Sequence, residues 1–319
     1  MERGQRIAVA DLGTNSTRLL VADLEPGGLL SEVHRRTEVT RLGDGVDATG
    51  TLTDDAMERV LVTLDAYRRL AEEFGAARAI AVATSAVRDA RNGEELQRRV
   101  RERSGFEIRT ISGDEEARLT FLGATASREE AAATLVIDIG GGSTEYVVGR
   151  PGHPPDFHVS TRLGSVRHSE RHISSDPPAR EDLEALARAA RQIVVAGAPE
   201  QVRQEVNAGI AVAGTATSLA AIDQELDPYD PGRVHGYRLE SGACERMLTM
   251  LAAMRLEDRR EVAGLHPDRA PTIVAGAVIL IESMRAFGLG SVETSDADIL
   301  HGAALQALGE GRPTGGETG

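Results

Sequence analysis

An eight-residue pattern occurs twice in the chain. Asp11-Leu12-Gly13-Thr14-Asn15-Ser16-Thr17-Arg18 returns as Asp138-Ile139-Gly140-Gly141-Gly142-Ser143-Thr144-Glu145, with Asp, Gly, Ser and Thr in the same register. Each copy follows an apolar run and leads into another, so each reads as strand, tight loop, strand. Glycines allow the sharp turn and leave amide N–H groups pointing outward, and the Ser and Thr hydroxyls add donors, so each loop is an anion cradle. At one matched position the copies differ in sign, Arg18 against Glu145. A guanidinium suits a phosphate oxygen and a carboxylate suits a divalent cation. A duplicated α/β chain that grips a metal-phosphate group between two loops is the expectation.

The rest of the composition narrows the chemistry. A length of 319 residues, 41% of them hydrophobic, predicts two domains, one per loop copy. All 36 basic residues are Arg. Without lysine there is no P-loop, Schiff-base or protein-kinase chemistry. A net charge of −14 argues against broad binding of nucleic acid or of an acidic membrane. No apolar stretch reaches membrane-spanning length and no signal-peptide core follows Met1, so a soluble cytoplasmic protein is expected. Cys244 stands alone and is expected to be buried in a helix.

Alternating patterns predict strands over 6–11, 17–24, 30–41, 79–83 and 107–111, with helices over 53–74 and 93–104. Thr53 is the expected N-cap of the first helix. The second half repeats the order, with strands at 134–138, 143–149, 157–161, 210–213 and 292–295 and helices at 180–195, 215–224, 269–287 and 298–308. Gly214-Thr215-Ala216-Thr217-Ser218 is a further glycine-and-hydroxyl turn opening a helix, suited to a nucleotide or another phosphate. Ser112-Gly113-Asp114-Glu115 fits a capping box, and Glu116 follows it. Three carboxylates in one helical turn serve the helix dipole as readily as catalysis. His168 and His172 could share a metal if helical, but exposed histidines are the plainer expectation.

The chain resembles the exopolyphosphatase and guanosine pentaphosphatase family, Ppx/GppA, within the superfamily of acetate and sugar kinases, Hsp70 and actin. The resemblance runs from about Ile7 to Leu308. It rests on Asp11 to Ser16, on Ala83-Thr84-Ser85-Ala86-Val87-Arg88, on Ile111 to Arg118 with its Glu115-Glu116-Ala117-Arg118, and on Val136 to Glu145. Leu163-Gly164-Ser165-Val166-Arg167 and Val274-Ala275-Gly276-Ala277 add to it.

The resemblance implies two ribonuclease-H-like lobes around a central cleft, as in actin and Hsp70. The N-terminal lobe would span 1–126 and the C-terminal lobe 127–298; a helix over 299–310 would pack back on the first, and 311–319 would form a flexible tail. It further implies Glu116 as the catalytic carboxylate, Arg88 as a substrate-proximal arginine, and Asp138 and Glu145, with Asp11, around Mg2+ and the attacking water. Asn15, Ser16, Thr17 and Arg18 would face Gly140, Gly141, Gly142, Ser143 and Thr144 across the phosphate, with Gly214 and Thr215 nearby.

Near a helix N-terminus and beside Mg2+, Glu116 is expected to stay ionised at neutral pH. Longer relatives carry extra C-terminal helical domains, so short polyphosphate is the expected substrate, with guanosine pentaphosphate as the alternative. An ATP-dependent small-molecule kinase using Gly214 to Ser218 for adenosine, or a phosphate sensor, are further possibilities. A homodimer binding neither nucleic acid nor membrane is expected. Leu300 and His301 stand where the family commonly has Arg and an acid, and Pro271 where Asp is frequent.

Overall fold

The computed structural model describes residues 6–25, 28–128 and 132–309. The tail expected at 311–319 and residues 129–131, near the expected lobe boundary, lie outside the described residues. The duplication read from the loops extends through the architecture. Strands β1 (Arg6–Leu12), β2 (Thr17–Leu24), β3 (Leu30–Glu38), β4 (Arg78–Ala83) and β5 (Glu107–Thr110) form one sheet in the order β3-β2-β1-β4-β5. The second sheet holds β6 (Thr134–Ile139), β7 (Thr144–Gly149), β8 (Phe157–Thr161), β9 (Ala208–Val212), β10 (Arg238–Glu240) and β11 (Ser291–Ser295) in the order β10-β11-β9-β6-β7-β8. Reading outward from β1 and from β6, the two sheets share one connectivity, and β10 is an added antiparallel edge strand. Even the register is duplicated. Asp11 opposes Arg18, and Asp138 opposes Glu145.

Both sheets are covered on both faces, which is why their central strands are apolar almost throughout. In the first sheet, alternation sends Ala8, Ala10 and Leu19 toward Val60, Leu64 and Tyr67 of the Asp54–Glu73 helix. It sends Ile7, Val9 and Leu20 the other way, against Leu300, Ala303 and Leu308 of the Ile299–Gly309 helix. In the second sheet Leu135 and Ile137 pack with the Arg180–Gly197 and Ile273–Ala286 helices. Val136, Val147 and Val212 meet Ala117, Phe121 and Ala124 of the Gly113–Thr125 helix. Full burial of each large aliphatic side chain is worth about 1.5–3 kcal/mol, and these four interfaces hold most of them.

The Gly113–Thr125 helix, which completes the first unit, covers the second sheet. The Ile299–Gly309 helix, which follows the last strand, covers the first. Where the two cross there is no room for side chains: a Cβ on Gly123 would overlap the Asp298 carbonyl, and one on Gly302 the Leu119 carbonyl. Alanine is the better helix former than glycine by about 1 kcal/mol. Overlap with backbone costs about 3 kcal/mol, so overlap wins. Gly123→Ala is expected to lower the urea midpoint by the equivalent of about 2 kcal/mol. An unchanged or raised midpoint would show a looser crossing.

Several expected boundaries moved for local reasons. Thr53 caps its helix through Ala56 N–H, and Ser112 accepts from Glu115 N–H at 3.1 Å, as the capping patterns predict. The third strand ends at Glu38 instead of 41, because Arg41 turns into the left-handed region at φ 48° and its N–H reaches the Asn15 carbonyl. The helix expected from 269 begins at Ile273, after a separate turn at Pro267–Arg269. Pro271 has no N–H to continue the turn and its ring clashes with a helical carbonyl four residues earlier, which separates the two. Cys244 is buried in the Ser241–Ala253 helix. No helix among the described residues is long and apolar enough to cross a membrane.

Candidate active site

The two repeat loops meet across a cleft between the sheets. In each, the glycine N–H closes the turn on the serine carbonyl three residues later, Gly13 to Ser16 and Gly140 to Ser143, both at 3.0 Å. The loops touch through glycine: a Cβ on Gly141 would sit 3.0 Å from Thr14 Cβ, and one on Gly142 2.9 Å from Thr14 Oγ1 and 2.8 Å from Ser85 Oγ. Larger residues there would hold the loops apart. The loop carbonyls are tied away from the cleft. Arg41 N–H and Gly43 N–H take those of Asn15 and Thr14, each at 2.8 Å, while Ser165 N–H and Val166 N–H take those of Gly140 and Gly141, each at 2.9 Å. In a trans peptide the carbonyl and the following N–H point oppositely. The amides of Asn15, Ser16, Gly141 and Gly142 therefore turn inward, and none of them makes a backbone hydrogen bond among the described residues.

Of the expected residues, Asp11, Asn15, Ser16, Arg18, Glu116 and Asp138 line this cleft, and so do Gly140, Gly141, Ser143, Glu145, Gly214 and Thr215. Thr17 and Thr144 do not. Both are fully buried, with the Thr17 hydroxyl on Thr40 Oγ1 at 2.9 Å and the Thr144 hydroxyl on the Leu163 carbonyl. Strand alternation explains it: if Arg18 and Glu145 face the cleft, the residues before them face away. Gly142 and Arg88 line an adjoining recess with Ser85 and Ser143.

Charge divides the cleft as the repeat does. On the first sheet Arg18 donates to Asp11 Oδ2 from Nε at 3.0 Å and from Nη2 at 2.6 Å, and Nη1 bonds Asp298. Burial opposes that guanidinium charge, but Asp298 and Asp11 outweigh it and raise its pKa. The guanidinium expected to face phosphate is thus spent on two carboxylates. On the second sheet the opposed pair is Asp138 and Glu145, and no ion pair of either is found among the described residues. Burial lifts the Asp138 pKa to about 7, with Asp298, Glu116 and Asp11 adding to it against Arg18. Glu145, only 1% exposed, is pushed well above the carboxylate range by burial, then by Glu116 and Asp138.

Glu116 sits at the head of the Gly113–Thr125 helix, its Oε2 held by Arg88 Nη1 at 2.8 Å. Burial raises its pKa to about 7 in spite of Arg88. The helix N-terminus and Mg2+ are together expected to keep this group ionised; burial opposes the first, and a bound cation would act against burial.

The residues fit Mg2+ on two grounds. Asp11 Oδ1 is buried with no hydrogen-bond partner, and the Asp138–Glu145 pair is one that a cation would relieve. No group of three or more His, Cys, Asp or Glu side chains among the described residues is placed to hold a metal ion by itself. That suits a hard cation which takes one or two carboxylates and completes its shell with water and phosphate. His168 is helical but buried and stacked on His172 at 5.6 Å between centroids, neither exposed nor in a metal cluster.

Two charged residues escaped the sequence reading, one lining the cleft and one behind Arg18. Asp298, 2% exposed, is the second partner of Arg18. Arg269 lines the cleft with its guanidinium pressed on Gly214, where any Cβ would overlap it. No hydrogen bond or ion pair of that guanidinium is found among the described residues, and burial, then Arg18, lower its pKa to about 10. The surface expected to hold adenosine is thus a cationic platform.

Known proteins share both sequence and shape with this chain. It is 35% identical over 317 residues to exopolyphosphatase 2 of Mycobacterium tuberculosis, covering 95% of this chain and 99% of that one. A solved exopolyphosphatase-like protein superposes with a TM-score of 0.88 at 31% identity, over 96% of this chain and 99% of the other. The Aquifex aeolicus Ppx/GppA member gives 0.81 at 30% identity, over 97% and 99%. With residues 20–310 matching the family as a whole, the chain belongs to the Ppx/GppA phosphatase family.

Proposed function

We propose that the protein is a Mg2+-dependent exopolyphosphatase that removes terminal phosphate from inorganic polyphosphate, preferentially from short chains. The observation that carries this is the cleft itself, where two inward-turned amide loops face each other with Glu116, Asp138 and Glu145 between them. The names of the mycobacterial relatives agree with it. Phosphoanhydride hydrolysis needs little covalent help and much charge neutralisation and positioning. The loop amides would bind the equatorial oxygens of the terminal phosphoryl group. Arg269 would meet the next phosphate. Arg88 occupies one oxygen of Glu116, leaving Oε1 to accept the proton of the attacking water. Ser160 Oγ, 2.7 Å from Glu145 Oε1, fixes that carboxylate. Bound by Asp138 and Glu145 with Asp11 opposite, Mg2+ would supply positive charge to the carboxylates and to the phosphate oxygens. Homodimerisation is proposed from the family resemblance alone, and a cytoplasmic location from the hydropathy and signal-peptide readings of the sequence.

The deciding assay is phosphate release from long polyphosphate, short polyphosphate, guanosine pentaphosphate and ATP, each with and without Mg2+. Fastest release from short polyphosphate, lost on chelation, is expected. Faster release from guanosine pentaphosphate would move the substrate, and phosphate transfer from ATP to an acceptor would move the reaction class.

Metal binding has a stability signature independent of turnover. Asp138 and Glu145 have folded pKa values above their unfolded ones, so the folded state keeps protons that the unfolded state has already lost, and stability falls as pH rises from about 4 through about 7. Mg2+ removes that penalty. At 100 times its dissociation constant it is expected to stabilise the protein by about 2.7 kcal/mol, more at pH 8 than at pH 5.5, and much less in Asp138→Asn. A melting temperature indifferent to Mg2+ at both pH values would place the metal elsewhere.

A further inference from the structure

The second phosphate loop is pinned by the first turn of the Ser165–His172 helix, and the last of its carbonyls is pinned by a side chain. Arg167 Nε donates to the Gly142 carbonyl at 2.8 Å. The trans peptide then directs the Ser143 N–H to the opposite side, toward the cleft that Ser143 lines. The same guanidinium crosses to the first lobe. It is ion-paired with Asp47, in the helical turn Val46–Thr49, and with Asp89 Oδ2 at 3.2 Å, at the end of the Ser85–Asp89 helix. Arg167 is only 6% exposed. Asp47 also gathers Arg162 at 3.1 Å and Arg171 Nε at 2.6 Å, both from the second lobe. Asp89 directly follows Arg88, the residue that holds Glu116.

One guanidinium therefore joins a phosphate-loop carbonyl of one lobe to two carboxylates of the other. We propose that Arg167 is a positioning residue that couples lobe closure to the alignment of the Ser143 amide. With the lobes apart, Arg167 loses Asp47 and Asp89 and the Gly142–Ser143 peptide is free to tilt. With the lobes together, the fork of the guanidinium is fixed from both sides and the amide is aimed at the charge that develops on the phosphoryl group. Lysine is no substitute, because a single ammonium lacks the fork that serves a carbonyl and two carboxylates at once. An ion pair that only held the lobes together would be indifferent to which group touches Gly142.

This rests on the phosphohydrolase reading of the cleft, and the test separates the two. Arg167→Lys, Asp47→Asn and the double variant are compared with wild type by melting temperature, by kcat and KM for phosphate release from short polyphosphate, and by calorimetric affinity for orthophosphate. Arg167→Lys is expected to fold, to lose about 100-fold in kcat, as for loss of one oriented transition-state donor, and to bind orthophosphate about tenfold more weakly. Its KM should change far less than its kcat. Asp47→Asn should lose about tenfold in kcat, and the double variant should be no worse than Arg167→Lys, because Asp47 acts through Arg167. Near-wild-type kcat in Arg167→Lys, or losses that multiply in the double variant, overturn the proposal. If Arg167→Lys does not fold, Asp47→Asn decides it, and an unchanged kcat there is the overturning result. Wild-type protein that releases no phosphate from polyphosphate sinks the functional reading instead, and orthophosphate affinity then decides for Arg167.

Discussion

Glu116→Gln is expected to fold like wild type, to bind polyphosphate nearly as well, and to lose about 100 to 10,000-fold in kcat, the usual cost of removing a general base. The amide keeps the shape and the hydrogen bond to Arg88 but accepts no proton from water. Two further readouts separate this from a structural effect. Burial raises the wild-type carboxylate to about 7 and bound Mg2+ would lower it, so kcat should rise with pH along a limb below about 7 that the residual rate of the variant does not follow. Because burial disfavours the ionised carboxylate, the variant should melt no lower than wild type at pH 8, where that penalty is fully present. Near-normal turnover in Glu116→Gln would reduce Glu116 to a helix-dipole residue. The half-buried neighbour Glu115, which pairs with Arg109, should tolerate the same change.

Arg269→Met should separate stability from activity. A cation held in the cleft with its pKa depressed to about 10 destabilises the fold at every pH below that value. Removing it is expected to raise the melting temperature. The same substitution takes away the one cleft arginine that no carboxylate holds, and kcat/KM for polyphosphate should fall by about 100-fold or more; arginines that neutralise a transferring phosphoryl group are worth about 1,000-fold or above. Arg18→Met should behave differently, leaving Asp11 and Asp298 facing one another uncompensated and melting lower. A destabilised Arg269→Met with unimpaired activity would make Arg269 a packing residue.

The repeat made much of this legible. Two aspartates in matched loops required two matched sheets, and Asp11, Asp138 and Glu116 do line one cleft. Local capping chemistry placed helix starts at Thr53 and Ser112 because side chain and amide are three residues apart and need no tertiary context. What stayed hidden depends on long-range partners. Arg18 carries the same residue type whether it faces phosphate or two aspartates, and its second aspartate lies 280 positions away. Arg269 read as the first residue of an apolar helix, although Pro271 was a local signal that the helix starts later. Thr17 and Thr144 could have been excluded by applying strand alternation to the residues that follow them. The Glu116 pKa depends first on burial and then on Arg88, Asp11 and Arg18 from other elements, which no local pattern carries.

The crossing of the two terminal helices has a consequence for the newborn chain. A ribosome makes the first sheet early, yet Ile7, Val9, Leu20 and Ala22 are covered by residues 299–309, which are made only after the whole second sheet. Domains usually fold as they emerge, amino end first. Here the amino-terminal lobe waits with one apolar face open until the second sheet has been made, while the helix at its own end, Gly113–Thr125, has been given to a sheet not yet translated. Neither half is a finished object by itself, and the duplicated ancestor that each half resembles could not be recovered by cutting the chain in two.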